Sequence, residues 1–572
     1  MKLRYDTIPS VPVFRWHGGY DTRHIPKGAG FDYNPSSRTW STRLASKARL
    51  LAEYADEATL EQIERTALAQ EAAARAAEMA AAATIAASRA IDANVEIPVP
   101  PGLAYLPYQR AGIAYAMQRK DVLIADQMGL GKTIQAIGVI NSELGAKPRL
   151  RVLIVAPKIA LTNWCRELAK WLVRPLTIGI ATTKAWPETD VVVVNYDILS
   201  KLGDRLRAVQ WDIAVFDEAH ALKDGKAART KAALGATGQP PIPARRRLFL
   251  TGTPILNRPI ELYPMLHAMG VREASNFYRF AARYCDGRNT KFGFDASGAS
   301  NLDELQSVMR KSVMVRRLKA DVLTELPEKR ISVVEIPCDN PGLSRAVAAE
   351  KRALDTAERE TGRLKAAVEA AKAGGNDAAY RAAVANLRAG RSAAFQEMSR
   401  LRYQTAVAKV PQVVEHLLGV LGSATDAVLV FAHHSDVIAG IVDGLHEAGH
   451  EAAVITGDTS DKDRQDAQDD IQLGRKRIFV GSMRACGVAI TLTAASTVVF
   501  AEQDWTPGIM QQAEDRAHRI GQRNAVLVQH LVLDGSFDAT MAKTVAAKGG
   551  VIEEALDVEA EPGDAPEMSL AV

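Results

Sequence analysis

The 572 residues are 47% apolar and 24% charged, enough for several packed cores and too balanced for a disordered chain. A formal charge of +4, from 71 basic against 67 acidic residues, is too small to make the whole surface attract polyanions, so any nucleic-acid path must be a local stripe. Four dispersed cysteines (Cys165, Cys285, Cys338, Cys486) argue against a disulfide framework or a close metal knuckle, and neither a signal-like N-terminus nor a membrane-length apolar run is present; a soluble protein of a reducing cytoplasm is expected.

Residues 1–56 interleave Trp16, Phe31, Tyr33 and Trp40 with Arg4, Arg15, Arg23, Lys27 and Arg38, and read as a small basic, aromatic module. Residues 57–97 are dominated up to Ala93 by Ala, Glu, Gln and Arg with no Gly or Pro, which predicts a helical spacer. Pro98, Pro100, Pro101 and Gly102 end it. From 98 to 270, β-rich runs at 122, 152, 191, 213 and 247 alternate with helical segments, the pattern of a parallel, two-sided α/β sheet. Residues 271–410 read as a charged, Ala-rich helical insertion, and β-rich runs (AVLVFAHH, AAVITGD, RIFVGS, TVVFAE) return across 411–545. Residues 546–572 read as a short helix and an acidic tail with Glu559, Glu561, Asp564 and Glu567. High alanine content suggests a GC-rich bacterial or phage genome.

Four segments carry chemistry. The first, DQMGLGKT (Asp126–Thr133), follows an apolar strand and opens a helix, the setting of a phosphate-binding loop. In it Gly129 and Gly131 let backbone N–H groups close on phosphate oxygens, Lys132 reaches the terminal phosphates, and the Thr133 hydroxyl can ligate Mg²⁺. The match to the generic loop is incomplete, because Asp126 stands where that pattern asks for Gly. The second, Asp217-Glu218-Ala219-His220, puts two carboxylates at a strand's end, one to hold Mg²⁺ and one to act on water. The third, LTGTPILNRP (Leu250–Pro259), again follows a strand. The fourth, QAEDRAHRIGQ (Gln512–Gln522), places Arg516 and Arg519 three apart, which at helical spacing puts both on one face. Two such arginines brought to a nucleotide on the other domain would act as arginine fingers.

The ordered set LPYQRAGIAYA, DQMGLGKT, VLIVAP with TNW, DEAH, LTGTPILNRP, GDTSDKDR, TLTAAS and QAEDRAHRIGQ resembles the Swi/Snf-type ATPases of helicase superfamily two. Over Gly102 to about Leu556 it is most similar to the HepA-related (HARP) annealing-helicase branch. The resemblance implies an α/β fold: two RecA-like parallel-sheet domains in tandem, with helical insertions between them and the small N-terminal module in front. It implies ATP and Mg²⁺ as cofactors and double-stranded DNA, forked or branched, as partner of a monomeric motor with a place in DNA repair.

By residue, the resemblance implies that Gln109 reads adenine. It places Asp126, Gln127, Met128, Gly129, Leu130, Gly131 and Lys132 around the phosphates, and Thr133 and Asp217 on Mg²⁺. Glu218 is implied to activate water, Arg516 and Arg519 to serve as fingers, and His220 to couple nucleotide state to Thr251–Pro254. Segments around Pro157, Asn195, Thr253, His433 and Gly487 are implied to face DNA. Gln127 departs from the family's usual acid, and Ala489 from its usual Gly. HIPKGAGFDYNPSSRTWST (His24–Thr42) resembles part of the HARP repeat, whose bases and aromatics could stack on single strands; Trp16, Phe31 and Trp40 serve equally well as the module's core.

Other features invite simpler readings. His433-His434 reads as a strand-to-helix loop rather than a metal site, Trp164 and Trp505 as packing residues, and Arg245-Arg246-Arg247 as a solvated strand edge or a DNA-facing run. The leading function is a DNA-stimulated ATPase stepping along a duplex. A strand-separating helicase, a remodeller that displaces RNA polymerase, and an ATP-switched clamp share the same motifs.

Overall fold

The computed structural model describes residues 2–8, 11–146, 149–252, 254, 258–290, 293–338, 340–374, 376–424, 426–486, 490–504 and 507–542. Thr253, Gly487, Ala489, Trp505 and the tail at 546–572 lie outside them. The chain divides into two compact units, residues 1–86 and 87–572.

In the first unit β1 (Lys2–Ile8), β2 (Val11–His17), β3 (Asp32–Asn34) and β4 (Thr39–Thr42) form an antiparallel sheet in the order β1-β2-β4-β3. Leu3, Phe14, Trp16 and Phe31 make its core, so Trp16 and Phe31 are packing residues. Trp40 is only partly buried and pairs with the half-exposed Tyr33 ring at 5.1 Å. Residues 57–97 are not simply a spacer. The single helix Glu57–Arg89 does form, but Ile63 and Ala67 on its early turns belong to the module's core, and Gln70 Nε2 donates to the Arg43 carbonyl at 2.6 Å. The module therefore extends well past residue 56, because a small sheet needs that helix to cover its apolar face.

The second unit holds two parallel sheets. The first lobe contains β5 (Asp121–Ile124), β6 (Val152–Ala156), β7 (Ile178–Ile180), β8 (Val191–Asn195), β9 (Trp211–Asp217) and β10 (Ala244–Leu250). After them come a small hairpin of β11 (Arg288–Thr290) with β12 (Gly293–Asp295), and β13 (Met314–Val315). The sheet order is β13-β5-β10-β9-β6-β8-β7. Strand residues alternate between two cores: Leu153, Val155, Val192 and Phe216 pack on one face, and Ile154, Val193, Val215 and Leu250 on the other. Burial on both faces explains why these strands read as unbroken apolar runs.

The second lobe contains β14 (Lys329–Ile336), β15 (Ala427–Ala432), β16 (Ala452–Ile455), β17 (Ile478–Ser482), β18 (Ala495–Phe500) and β19 (Val526–Leu533), ordered β14-β19-β18-β15-β17-β16. The interval 271–410 is therefore not a purely helical insertion. Its Met314-Val315 completes the first sheet beside β5, and Lys329–Ile336 is the edge of the second beside β19. What projects as helix is the pair Pro341–Ala373 and Asp377–Ala408, inserted after β14.

Candidate nucleotide-binding cleft

In an open parallel sheet, ligands sit beyond the carboxyl ends of the strands, where the connecting loops converge. The segments after β5, β9 and β10 meet there, because β10 lies between the other two. In the phosphate loop Gly129 and Gly131 have φ of +87° and +73°, a left-handed backbone that favours glycine. Helix Lys132–Ala146 starts directly after them, so its first free N–H groups and positive dipole end face the loop. Lys132 Nζ donates to the Asp126 carbonyl at 2.9 Å. Burial lowers its pKa, with the charges of Glu218, Asp126 and Asp217 opposing that shift.

β9 delivers Asp217 at its last position, and the chain turns sharply at Glu218, whose φ of +47° is strained for a residue with a side chain. Asp217 Oδ2 accepts from Trp164 Nε1 at 2.8 Å, so this tryptophan packs in the core and also aims a carboxylate that lines the cleft. Burial, and then the neighbouring Glu218, pushes Asp217 above the usual carboxylate range. Burial pushes Glu218 upward too, but contact with His220, together with Lys132 and Arg516, outweighs it and holds that group below its ordinary value. His220 Nδ1 lies 3.2 Å from Glu218 Oε2 and 3.3 Å from Thr251 Oγ1, between the carboxylate and the segment after β10.

The opposite wall comes from the second lobe. Arg516 and Arg519 line the same cleft as Lys132, Thr133, Asp217 and Glu218. They are not on one helical face, because the helix Pro507–Glu514 ends before them. The chain then tightens into turns, with Arg516 N donating to Ala513 O and Ala517 N to Glu514 O. Arg516 is fixed by the Gln512 and Ile490 carbonyls at 3.0 and 3.2 Å, and Arg519 by Thr491 Oγ1 at 3.0 Å. Burial, then Arg519, lowers Arg516 to about 10, leaving it charged at neutral pH.

Met128, Gly129 and Gly131 also line the cleft, whereas Gln109, Asp126, Gln127, Leu130 and His220 stand behind it. The Asp126 carboxylate faces away from the site, into a buried pair with Arg317 at 2.5 Å and a 2.7 Å bond from Gln135 Nε2. That anchor is why an acid can occupy the position. Gln109 accepts from Leu106 N at 3.0 Å and donates to the Leu130 carbonyl at 3.3 Å, bracing the loop rather than facing the cavity. Gln127 Oε1 accepts from Lys319 N at 2.7 Å, a task that an acid oxygen would also perform. Asn163, Glu167, Thr491 and Asp515 line the cleft as well. The TNW triplet carries Asn163, TLTAAS carries Thr491 and QAEDRAHRIGQ carries Asp515, whereas no motif marks Glu167.

Among the described residues, no group of three or more His, Cys, Asp or Glu side chains could by itself hold a metal. Mg²⁺ takes one or two protein oxygens and completes its shell with phosphate and water. Thr133 and Asp217 share the cleft and fit this role.

Pro157, Asn195 and His433 all lie at strand carboxyl ends, directly after β6, on β8 and directly after β15, and the Asn195 side chain caps the following turn. His434 Nδ1 contacts Glu502 Oε1 at 2.6 Å, and the backbone N–H groups of His433 and His434 both donate to Glu502 Oε2, which ties down a strand-to-helix loop. The run 245–247 is solvated only in part: Arg245 is exposed, Arg247 is partly buried and Arg246 is buried. Arg246 is buried on the Ala116 carbonyl and Glu143, Arg247 makes paired 2.7 Å bonds to Asp121, and Arg245 reaches Glu143.

A family profile described as SNF2-related domain matches residues 108–344, and one described as helicase conserved C-terminal domain matches residues 409–521. The chain is 34% identical over 463 residues to the Xenopus tropicalis SWI/SNF-related matrix-associated actin-dependent regulator of chromatin subfamily A-like protein 1, covering 79% of this chain and 45% of that protein. It is 33% identical over 482 residues to the Mus musculus DNA annealing helicase and endonuclease ZRANB3, covering 81% and 42%. The chain thus spans less than half the length of these two relatives. A solved Sulfolobus solfataricus SWI2/SNF2 ATPase core in complex with dsDNA is 20% identical, with 81% of this chain and 96% of that one covered at a TM-score of 0.37, too loose to carry the comparison further.

Proposed function

This chain belongs to the SNF2-related family, and on that premise we propose that it is a DNA-dependent ATPase that translocates on double-stranded DNA and so remodels or reanneals branched DNA or displaces bound proteins. One observation carries the reading: Lys132, Thr133, Asp217 and Glu218 of one lobe share a cleft with Arg516 and Arg519 of the other. Phosphoryl transfer asks little covalent chemistry of a protein and depends on positioning and on charge aimed at the transferring group. Lys132 and the loop N–H groups hold the terminal phosphates of ATP, and Glu218, kept ionised, takes the proton of the attacking water. Thr133 and Asp217 would hold Mg²⁺, which would supply positive charge beside the phosphates. Arg516 and Arg519 complete the site only with the lobes together, so turnover opens and closes the pair.

A motor that grips phosphates is positioned without reading bases, so stimulation depends on duplex length and salt and hardly on composition. The test is a third strand annealed on a duplex beside a tailed duplex of similar length. The protein is expected to displace the third strand in an ATP-dependent way and leave the tailed duplex paired. Unwinding of the tailed duplex with the triplex intact would replace this reading with a strand-separating helicase, and ATP turnover with neither product would replace it with a switched clamp.

A further inference from the structure

The seam between the lobes of the second unit contains a buried ion pair to which the ATPase reading gives no task. Lys319 follows β13 in the first lobe, and Asp515 directly precedes Arg516 in the second. Lys319 Nζ donates to Asp515 Oδ1 at 2.6 Å and to the His518 carbonyl at 2.6 Å. Those two acceptors belong to the residues immediately before Arg516 and Arg519. The pair is sealed from solvent, with side-chain exposures of 5% for Lys319 and 2% for Asp515.

The other end of Lys319 belongs to the phosphate loop. Its backbone N–H donates to Gln127 Oε1 at 2.7 Å. Its stem lies against Gly129, where a Cβ would stand 3.2 Å from Lys319 Cε and 3.3 Å from Arg519 Cγ. One residue is thus fixed by the phosphate loop through its backbone and holds the finger segment through its ammonium. Elsewhere on the seam, Thr162 meets Asp461 and Arg166 meets Gln465, but both of those contacts are exposed to water. Exposed polar contacts contribute little, whereas removing one partner of a sealed pair leaves the other charge buried and alone.

We propose that Lys319 is a positioning residue for ATP hydrolysis: by gripping Asp515 and the His518 carbonyl it sets Arg516 and Arg519 against the phosphate loop, making lobe closure and finger placement one event. The proposal rests on the ATPase reading above. In this role Lys319 touches the finger segment and the loop, not the reacting atoms. Its effect therefore belongs in kcat rather than in ATP affinity.

The experiment measures kcat and KM for ATP at saturating duplex DNA in the full chain carrying Lys319→Met, Asp515→Asn, Arg519→Ala, and each of the first two combined with Arg519→Ala. Binding of a fluorescent ATP analogue and the melting temperature are followed in parallel. Lys319→Met is expected to lower kcat on the order of 10- to 100-fold, since a misplacement of about 1 Å costs that much. KM and analogue binding should stay within about twofold of the parent, because the misplaced fingers act on the transition state and not on bound ATP. In the Arg519→Ala background either substitution should add little, because groups acting as a unit are not additive. Asp515→Asn keeps the side chain's shape while removing its charge, and it carries the test if Lys319→Met does not fold. An unchanged kcat, a rise in KM alone, or a full multiplicative loss on top of Arg519→Ala would overturn the proposal. Glu218→Gln is measured alongside, and normal turnover there would sink the ATPase reading itself, whatever Lys319 does.

Discussion

The two walls of the cleft are built differently. On the first-lobe side Asp217 ends a buried strand, Lys132 opens a helix behind a glycine loop, and Trp164 orients the carboxylate through a single bond, so the wall is set by secondary structure. On the second-lobe side Arg516 and Arg519 sit on turns past a short helix, held by carbonyls and by a lysine reaching across the seam. The comparison teaches a division of labour. On the proposed ATPase function, the first wall binds and prepares ATP in a fixed frame, and the second supplies rate only when the lobes meet.

The largest expected effects break the first wall. Lys132→Ala should abolish turnover by weakening phosphate binding, whereas Glu218→Gln should abolish it with ATP still bound, because only water activation is lost. Equilibrium nucleotide binding beside steady-state hydrolysis separates the two, and substantial turnover by Glu218→Gln would contradict its role. Next come the fingers. Arg516→Ala or Arg519→Ala should lower DNA-stimulated turnover by about 10³-fold or more while nucleotide binding survives. A variant that keeps parental turnover at saturating DNA would show that its arginine is no finger.

Smaller effects belong to the N-terminal unit. Trp16→Ala should cost that unit about 3–5 kcal/mol, as for other buried aromatics, visible as an early melting transition. Tyr33→Ala should leave melting unchanged and weaken single-strand binding by about 1–3 kcal/mol, the value of one stacked base. Equal fork affinity with and without Tyr33 across a salt series would make the ring structural only. Smallest of all, Gln127→Glu should change turnover by less than about threefold, well under 1 kcal/mol of barrier, since either side chain offers an oxygen to Lys319 N.

What the sequence made legible follows from the same physics. Strands buried on both faces leave apolar runs, so β5, β6, β8, β9, β10 and β15 to β18 are readable without a partner. β14 escapes because an edge strand half-open to water reads RISVVEI, and β13 because two residues make no pattern. The phosphate loop and the Asp-Glu turn are local, and local spacing shows them. Lys319 and Asp515 are 196 residues apart and meet only because the two lobes face each other. The helical reading of Gln512–Gln522 failed for a related reason. The backbone tightens after Glu514, where arginine side chains bond to carbonyls of the loop at Ile490 rather than to water. The end placed at residue 56 failed because alanine-rich composition shows a helix but not what its early turns cover.

On the proposed function, duplex DNA completes this ATPase by bringing the two walls together. Steady-state ATP turnover with no nucleic acid, single strand, duplex, fork and RNA tests it most directly. Turnover should be low alone and with RNA, strongly stimulated by duplex in a way that grows with duplex length and weakens with salt, and no longer stimulated in Arg519→Ala. Turnover equally fast without DNA, or stimulated by RNA and not by duplex, would contradict it.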